Sequence, residues 1–236
     1  MTKNIEQNEV FDTHADAYSE EIDKSLNRFG TSHDFFTEHK AKLIAVELAA
    51  MGKAPGEMAL LDVGCGVGKI HAPLKGQFRK ISGVDLSAPS IKVARETYPE
   101  NDYQAYEGGR LPFEDGAVDM TLAICVIHHV PPDLWQEFAD EMIRVLRPGG
   151  VAMVIEHNPF NPVTRRIVNT CPLDEDAVLV TPKKLRALFR RAGAEEVKTR
   201  TVLSVPPKSD ALMKLDRVLG HLPLGAQYVL TARKKG

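Results

Sequence analysis

The sequence predicts an α/β fold, a doubly wound and mostly parallel sheet of seven strands preceded by N-terminal helices. Three observations predict it. Short apolar runs of strand length alternate with segments whose apolar residues recur at helical spacing, the signature of strands joined by crossover helices. One run passes directly into glycines at alternate positions, Leu60-Leu61-Asp62-Val63-Gly64-Cys65-Gly66-Val67-Gly68, forming a loop that a ligand can approach closely because glycine lacks a Cβ. A later run, Ile81-Ser82-Gly83-Val84-Asp85, ends in an acid, the position that holds a ribose diol in open α/β sheets.

In chain order, residues 11–27 place Phe11, Ala15, Tyr18, Ile22 and Leu26 along one helical face. Ser32 is a candidate cap for a second helix, in which Phe35, Phe36, Leu43, Val46 and Leu48 supply apolar contacts before Gly52 and Pro55 end it. Strands are predicted at 59–63, 80–85, 102–107, 118–125, 150–156, 196–204 and 227–233. Ser87 caps a helix over 91–97. Asp133 opens a long helix with Leu134, Phe138, Met142 and Val145 inward, stopped by Pro148-Gly149-Gly150. A proline-broken stretch over 206–223 contains a short helix at 210–219.

At 236 residues and 43% hydrophobic content, the chain is long enough for one domain with a sizeable core. A formal net charge of -2 provides no concentrated basic surface, so nucleic acid is not the expected partner. Residues 1–10 are polar and carry two glutamates, unlike a signal peptide, and no apolar run reaches the length of a membrane span. The expectation is a cytoplasmic protein without an integral membrane segment. Cys65, Cys125 and Cys171 are odd in number, far apart and without metal-ligand spacing; they predict reduced thiols and no metal site. Oligomeric state leaves no mark on the sequence.

The glycine spacing discriminates between nucleosides. A dinucleotide loop G-x-G-x-x-G would need its third glycine at Lys69, whereas G-x-G-x-G fits Gly64, Gly66 and Gly68. Asp62 beside a pyrophosphate would crowd two negative charges into a poorly solvated crevice, but it suits a cationic amino-acid tail. At these residues the chain resembles the class I S-adenosylmethionine-dependent methyltransferases, whose first motif is D-x-G-x-G-x-G and whose second is the acid after the next strand. Leu111-Pro112-Phe113 with Asp119, then Ile127-His128-His129-Val130, then Val145-Leu146-Arg147-Pro148-Gly149-Gly150, match that family's later motifs in order. The resemblance covers residues 59–154 closely.

The resemblance implies S-adenosylmethionine as cofactor and a Rossmann-like sheet whose last strand runs antiparallel in a closing hairpin. It organises the chain as a single domain: N-terminal helices forming a lid at 1–56, a cofactor-binding core at 57–157, an acceptor-side insertion at 158–180, and the C-terminal part of the sheet at 181–236. It also implies that the backbone at Gly64, Cys65 and Gly66 borders the methionine moiety, with Asp62 and Gly68 in the same loop. Asp85 would take the ribose hydroxyls and Leu86 would pack on the adenine. Glu107 stands where the family usually has Asp, so either its longer side chain reaches the adenine amino group or the backbone at Gly108-Gly109 does so instead. Ile124 lines the cofactor through its main chain. Tyr18, in Ala15-Asp16-Ala17-Tyr18, either offers an aromatic face to the sulfonium or simply packs its helix.

The acceptor side is read from the residues themselves. His128, His129 and His157 are candidate bases, since neutral imidazole can take a proton from an acceptor hydroxyl; the alternative is that one of the adjacent pair caps the following turn. The insertion is polar and proline-stiffened, and it places Asn158, Arg165 and Arg166 as candidate substrate contacts. The arginines either clamp a carboxylate or phosphate or pair with Asp174 or Asp176. The function these features imply is methyl transfer to a small-molecule acceptor, O-methylation first. The alternatives are C- or N-methylation of a small metabolite, as in relatives that methylate quinone precursors, and a noncatalytic S-adenosylmethionine-binding regulatory module.

Overall fold

The computed structural model describes residues 33–171, 174–207 and 209–236. Seven strands hydrogen-bond in the order β3-β2-β1-β4-β5-β7-β6: β1 Ala59–Val63, β2 Lys80–Asp85, β3 Asp102–Ala105, β4 Val118–Ile124, β5 Leu146–His157, β6 Ala194–Val202 and β7 Gln227–Lys234. β7 runs antiparallel to both β5 and β6, so the strand last in sequence lies second from the edge. Contacts cluster into two compact units, Met1–Gly108 and Gly109–Gly236. The predicted helix at 11–27, the Ser32 cap and Tyr18 lie outside the described residues.

In the first unit, α1 (His33–Ala50) buries Ala41, Leu43, Ile44 and Leu48. Val46, expected among its contacts, is instead 40% exposed because it falls off the Ile44 and Leu48 face. β1 is buried along its whole length and pairs in parallel with β2, which pairs in parallel with β3. Burial on both faces explains the near-continuous apolar run of Leu60, Leu61 and Val63. A single helical turn, α2 (His71–Leu74), follows the glycine loop. α3 (Ala88–Thr97) starts earlier than its periodicity indicates, with Ser87 Oγ accepting from the Ser90 amide at 3.2 Å.

In the second unit, β4 and β5 are parallel, and their register jumps between Val118↔Leu146 and Met120↔Val151. Residues 147–150 bulge out there. The predicted long helix is α4 (Trp135–Arg144), which buries Trp135, Ala139, Met142 and Ile143. It begins after Asp133, leaves Leu134 and Phe138 only half-buried, and ends before Pro148-Gly149-Gly150, which lie within the bulge of β5. Arg144 and Glu141 lock the turn before β4: Glu141 accepts from the Leu111 amide, while Arg144 donates to the Leu111 and Phe113 carbonyls. The insertion contains α5 (Pro162–Val168), α6 (Pro182–Arg191) precedes β6, and α7 (Asp210–Leu219) lies between β6 and β7, where a short helix was expected. No described helix is long and apolar enough to cross a membrane.

Candidate functional site

The first unit brings the glycine loop and the acid of β2 together. Gly64 and Cys65 amides both donate to the Val84 carbonyl, at 2.8 and 3.0 Å, which fastens the loop against the end of β2. One residue on, Asp85 Oδ2 accepts from the Gly66 amide at 2.7 Å and Oδ1 accepts from the Ser87 amide at 2.9 Å. Burial pushes the Asp85 carboxyl above the ordinary carboxylate range, and the amide bonds from Ser87 and Gly66 pull against it. Leu86 beside it is 37% exposed. Gly66 has a φ of +52°, and a Cβ built there would meet nothing within 4 Å. The loop surface is therefore open to a ligand at that residue. An acceptor carboxylate, an open glycine surface and an exposed aliphatic side chain form a set that fits a nucleoside with a diol and a flat base.

The side chains of Asp62 and Cys65 both face inward. Asp62 is only 2% exposed, and its Oδ2 lies 3.1 Å from His71 Nε2, so it is committed to a buried partner rather than offered to a ligand tail. Cys65 is buried, and burial followed by the nearby Asp62 and Asp85 pushes its thiol well up. Its thiol stays protonated and contributes bulk. Glu107 is exposed after β3, and Gly108 follows it at a φ of +90°.

His71 was not legible as a site residue. Asn101 Nδ2 donates to the Tyr103 hydroxyl at 3.3 Å, that hydroxyl bonds His71 Nδ1 at 2.6 Å, and His71 Nε2 reaches Asp62. A carboxylate only accepts, so the proton of this last bond sits on Nε2 and the Tyr103 hydroxyl donates to Nδ1. The chain of bonds runs directly under the glycine loop. A Cβ on Gly68, whose φ is +75°, would come within 3.0 Å of the Tyr103 hydroxyl and 3.2 Å of His71 Nδ1. The third glycine thus admits the buried network as well as the turn.

The second unit collects all three predicted histidines. β4 ends at Ile124, half-buried, and Cys125 at a φ of 57° turns the chain into the 3-10 turn Ile127–His129. Trp135 Nε1 donates to the Ile127 and Val130 carbonyls and holds that turn. Glu156, 1% exposed at the end of β5, accepts from the Val126, Ile127 and His157 amides and from His128 Nδ1, the last at 2.7 Å. On the other side of the ring, His128 Nε2 lies 3.4 Å from Asp174 Oδ1. Burial alone would lower the His128 pKa, but Glu156 and Asp174 together raise it well above the usual imidazole value. His128 is an imidazolium held between two acids, which removes it as a general base.

His129 differs. Its pKa is lowered to about 4, first by burial and then by the neighbouring His128 cation, so it is neutral near pH 7. Its Nε2 lies 3.5 Å from the same Asp174 oxygen, and its side chain is 21% exposed. His157, half-buried, sets its ring 5.1 Å from that of His128. The Val178 amide donates to the His128 carbonyl at 2.8 Å and pins the stretch that carries Asp174 over the histidine turn.

The insertion residues separate into two kinds. Asn158 is fully buried; its Nδ2 donates to the Pro223 and Gly225 carbonyls and its Oδ1 accepts from the Phe160 amide. It ties the approach to β7, a correction to its expected place against substrate. Arg165 and Arg166 are exposed on α5 and make no ion pair among the described residues. Asp174 pairs with histidines instead, so the expected Arg–Asp174 lock does not form. Although the cysteine spacing predicted no metal site, His128, His129 and Asp174 bring three ligand atoms within 4.8 Å of one another.

Comparisons with known proteins agree with the fold. A family described as a methyltransferase domain matches residues 61–154. A probable S-adenosylmethionine-dependent methyltransferase of Mycolicibacterium smegmatis is 30% identical over 155 residues, 60% of this chain and 59% of that protein. A demethylmenaquinone methyltransferase of Chlorobaculum parvum is 34% identical over 113 residues, 47% of this chain and 46% of that protein. The chain thus spans less than two thirds of either relative. Among solved structures, a SAM-dependent methyltransferase of Thermotoga maritima superposes with a TM-score of 0.63 at 21% identity, over 92% of this chain and 99% of that one, a likeness of fold.

Proposed function

Residues 61–154 match a family described as a methyltransferase domain, and on that premise we propose that the chain uses S-adenosylmethionine to methylate a small-molecule acceptor at oxygen. The observation that carries the reading is the pairing of the glycine loop with Asp85. It offers acceptor lone pairs for a ribose diol beside an open loop and the exposed Leu86. Bound S-adenosylmethionine supplies an electrophilic methyl group on a sulfonium. The residues of the chain then orient the cofactor, through Asp85 and the open surface of the glycine loop, and manage the proton of the acceptor.

Two of the three histidines support oxygen as the methylated atom. A hydroxyl must lose its proton as it is methylated, and His129 and His157 are the partly exposed imidazoles of the second unit. His128 holds its proton between Glu156 and Asp174 and serves to position the turn. Arg165 and Arg166 offer forked donors for an anionic group on the acceptor. Relatives named for quinone methylation support small-molecule acceptors as a class.

Calorimetric titration of the purified protein with S-adenosylhomocysteine tests the cofactor, with Asp85→Ala as the comparison. Saturable binding that weakens at least tenfold in the variant is expected. Absence of binding to folded wild-type protein overturns the reading. Isotopic methyl transfer to a panel of hydroxylated, amino and quinol acceptors, followed by product analysis, then decides the methylated atom.

A further inference from the structure

We propose that His128, His129 and Asp174 form a binding site for one divalent first-row transition cation, with Glu156 as the carboxylate that orients the first ligand. The proposal goes beyond methyl transfer and does not depend on it, since every ligand lies in the second unit and is described by contacts within that unit.

The geometry points to a metal in three ways. First, Asp174 Oδ1 lies 3.4 Å from His128 Nε2 and 3.5 Å from His129 Nε2, and each of the three residues offers a ligand atom within 4.8 Å of the others. These separations match the edges between neighbouring ligands of a tetrahedral ion. For any triangle with such edges a point exists about 2.4 Å or less from every corner, near the ~2.0–2.2 Å bonds that zinc makes to imidazole nitrogen and carboxylate oxygen. Second, the far nitrogen of His128 is already fixed. Its Nδ1 donates to Glu156 Oε2 at 2.7 Å, and Glu156 is held by the Val126, Ile127 and His157 amides. The ion displaces the Nε2 proton of His128 to solvent, and a carboxylate bound to the outer nitrogen of a liganding histidine holds the resulting neutral ring in the Nδ1–H tautomer and raises its basicity, as in histidine-liganded zinc sites.

Third, the donor set and access agree. Two imidazoles and one carboxylate suit zinc or ferrous ions, and leave at least one coordination position for water or a ligand oxygen. His129 is 21% exposed and Asp174 13%, so the site is lined on one side and reachable on the other. Asp174 is held in place by the Val178 amide bond to the His128 carbonyl and by its own carbonyl accepting from Ala177, so closing on an ion costs little reordering. With the ion bound, His129 is a ligand and His157 alone remains to take an acceptor proton.

The test uses the full chain, stripped with a chelator and dialysed. Zinc(II) is titrated in competition with a chromogenic chelator, and cobalt(II) is titrated while its visible ligand-field absorption is recorded. One equivalent per chain with a micromolar or tighter Kd, intense four- or five-coordinate cobalt bands, and at least a ~100-fold loss of affinity in both His129→Ala and Asp174→Asn are expected. Circular dichroism and melting curves verify that the variants are folded; His129→Ala, altered at a partly exposed side chain, carries the test if Asp174→Asn unfolds. No stoichiometric uptake by wild type, or wild-type affinity in the folded variants, overturns the site. Titration of the same stripped protein with S-adenosylhomocysteine keeps this outcome separate from the cofactor reading.

Discussion

Asp85 accepts a 2.7 Å hydrogen bond from the amide of Gly66, nineteen residues earlier in the chain. The acid assigned to the ribose and the loop assigned to the cofactor tail are therefore one hydrogen-bonded unit. Removing the carboxylate alters the loop as well as the diol contact.

That unit carries a pH dependence. Ribose hydroxyls donate, so the nucleoside binds the ionised carboxylate, and burial has raised the Asp85 pKa above the carboxylate range. Affinity for S-adenosylhomocysteine is expected to fall as pH is lowered through that raised value, and Asp85→Asn should bind weakly with no such slope. Stability moves the other way. The folded state keeps the Asp85 proton to higher pH than the unfolded chain, so this carboxyl's contribution is present below about pH 4 and is lost as pH rises through the raised pKa. Calorimetry across pH 4–8 on both proteins checks the binding slope, and a slope unchanged in Asp85→Asn assigns it to another group.

Tyr103→Phe removes one hydroxyl and leaves His71 Nδ1 buried without its 2.6 Å partner. A cost of ~1–3 kcal/mol in unfolding free energy is expected. Urea unfolding measures it, and a loss under 0.5 kcal/mol would indicate that the Asp62–His71–Tyr103 chain does not stabilise the loop.

His128→Ala strips the buried Glu156 of its charged partner, and a destabilisation of ~3–5 kcal/mol is expected. His157→Ala is expected to act on turnover, lowering kcat by ~10²–10⁴ if it takes the acceptor proton, with affinity for S-adenosylhomocysteine unchanged. Denaturation and steady-state kinetics separate the two, and full turnover in His157→Ala removes that base.

Arg165→Ala and Arg166→Ala should leave the melting temperature within a degree or two, because both side chains are exposed and outside any described ion pair. For an anionic acceptor they should raise KM. Asn158→Ala should do the reverse, lowering stability by ~1–3 kcal/mol, since it leaves the Pro223 and Gly225 carbonyls without their donor. A KM effect confined to Asn158→Ala would reverse the assignment of these residues.

Local regularities were legible in the sequence. Strands at 59–63, 80–85 and 227–233 and the helix at 210–219 follow from short-range apolar patterning, and the glycine loop and Asp85 follow from spacing. Boundaries failed where tertiary contacts override propensity: the buried face of α4 is Trp135 and Ala139 rather than Leu134 and Phe138, and Pro148-Gly149-Gly150 became a bulge within β5. The polar partnerships were decided by the tertiary structure alone. Asp62 binds His71 and Tyr103 completes the chain, Glu156 binds His128 from 28 residues away, and Asp174 takes the histidines rather than Arg165 or Arg166. A buried polar group must find a partner, and which one it finds depends on strand register and loop path. Periodicity determines which residues go inside; only the folded chain determines which of them meet.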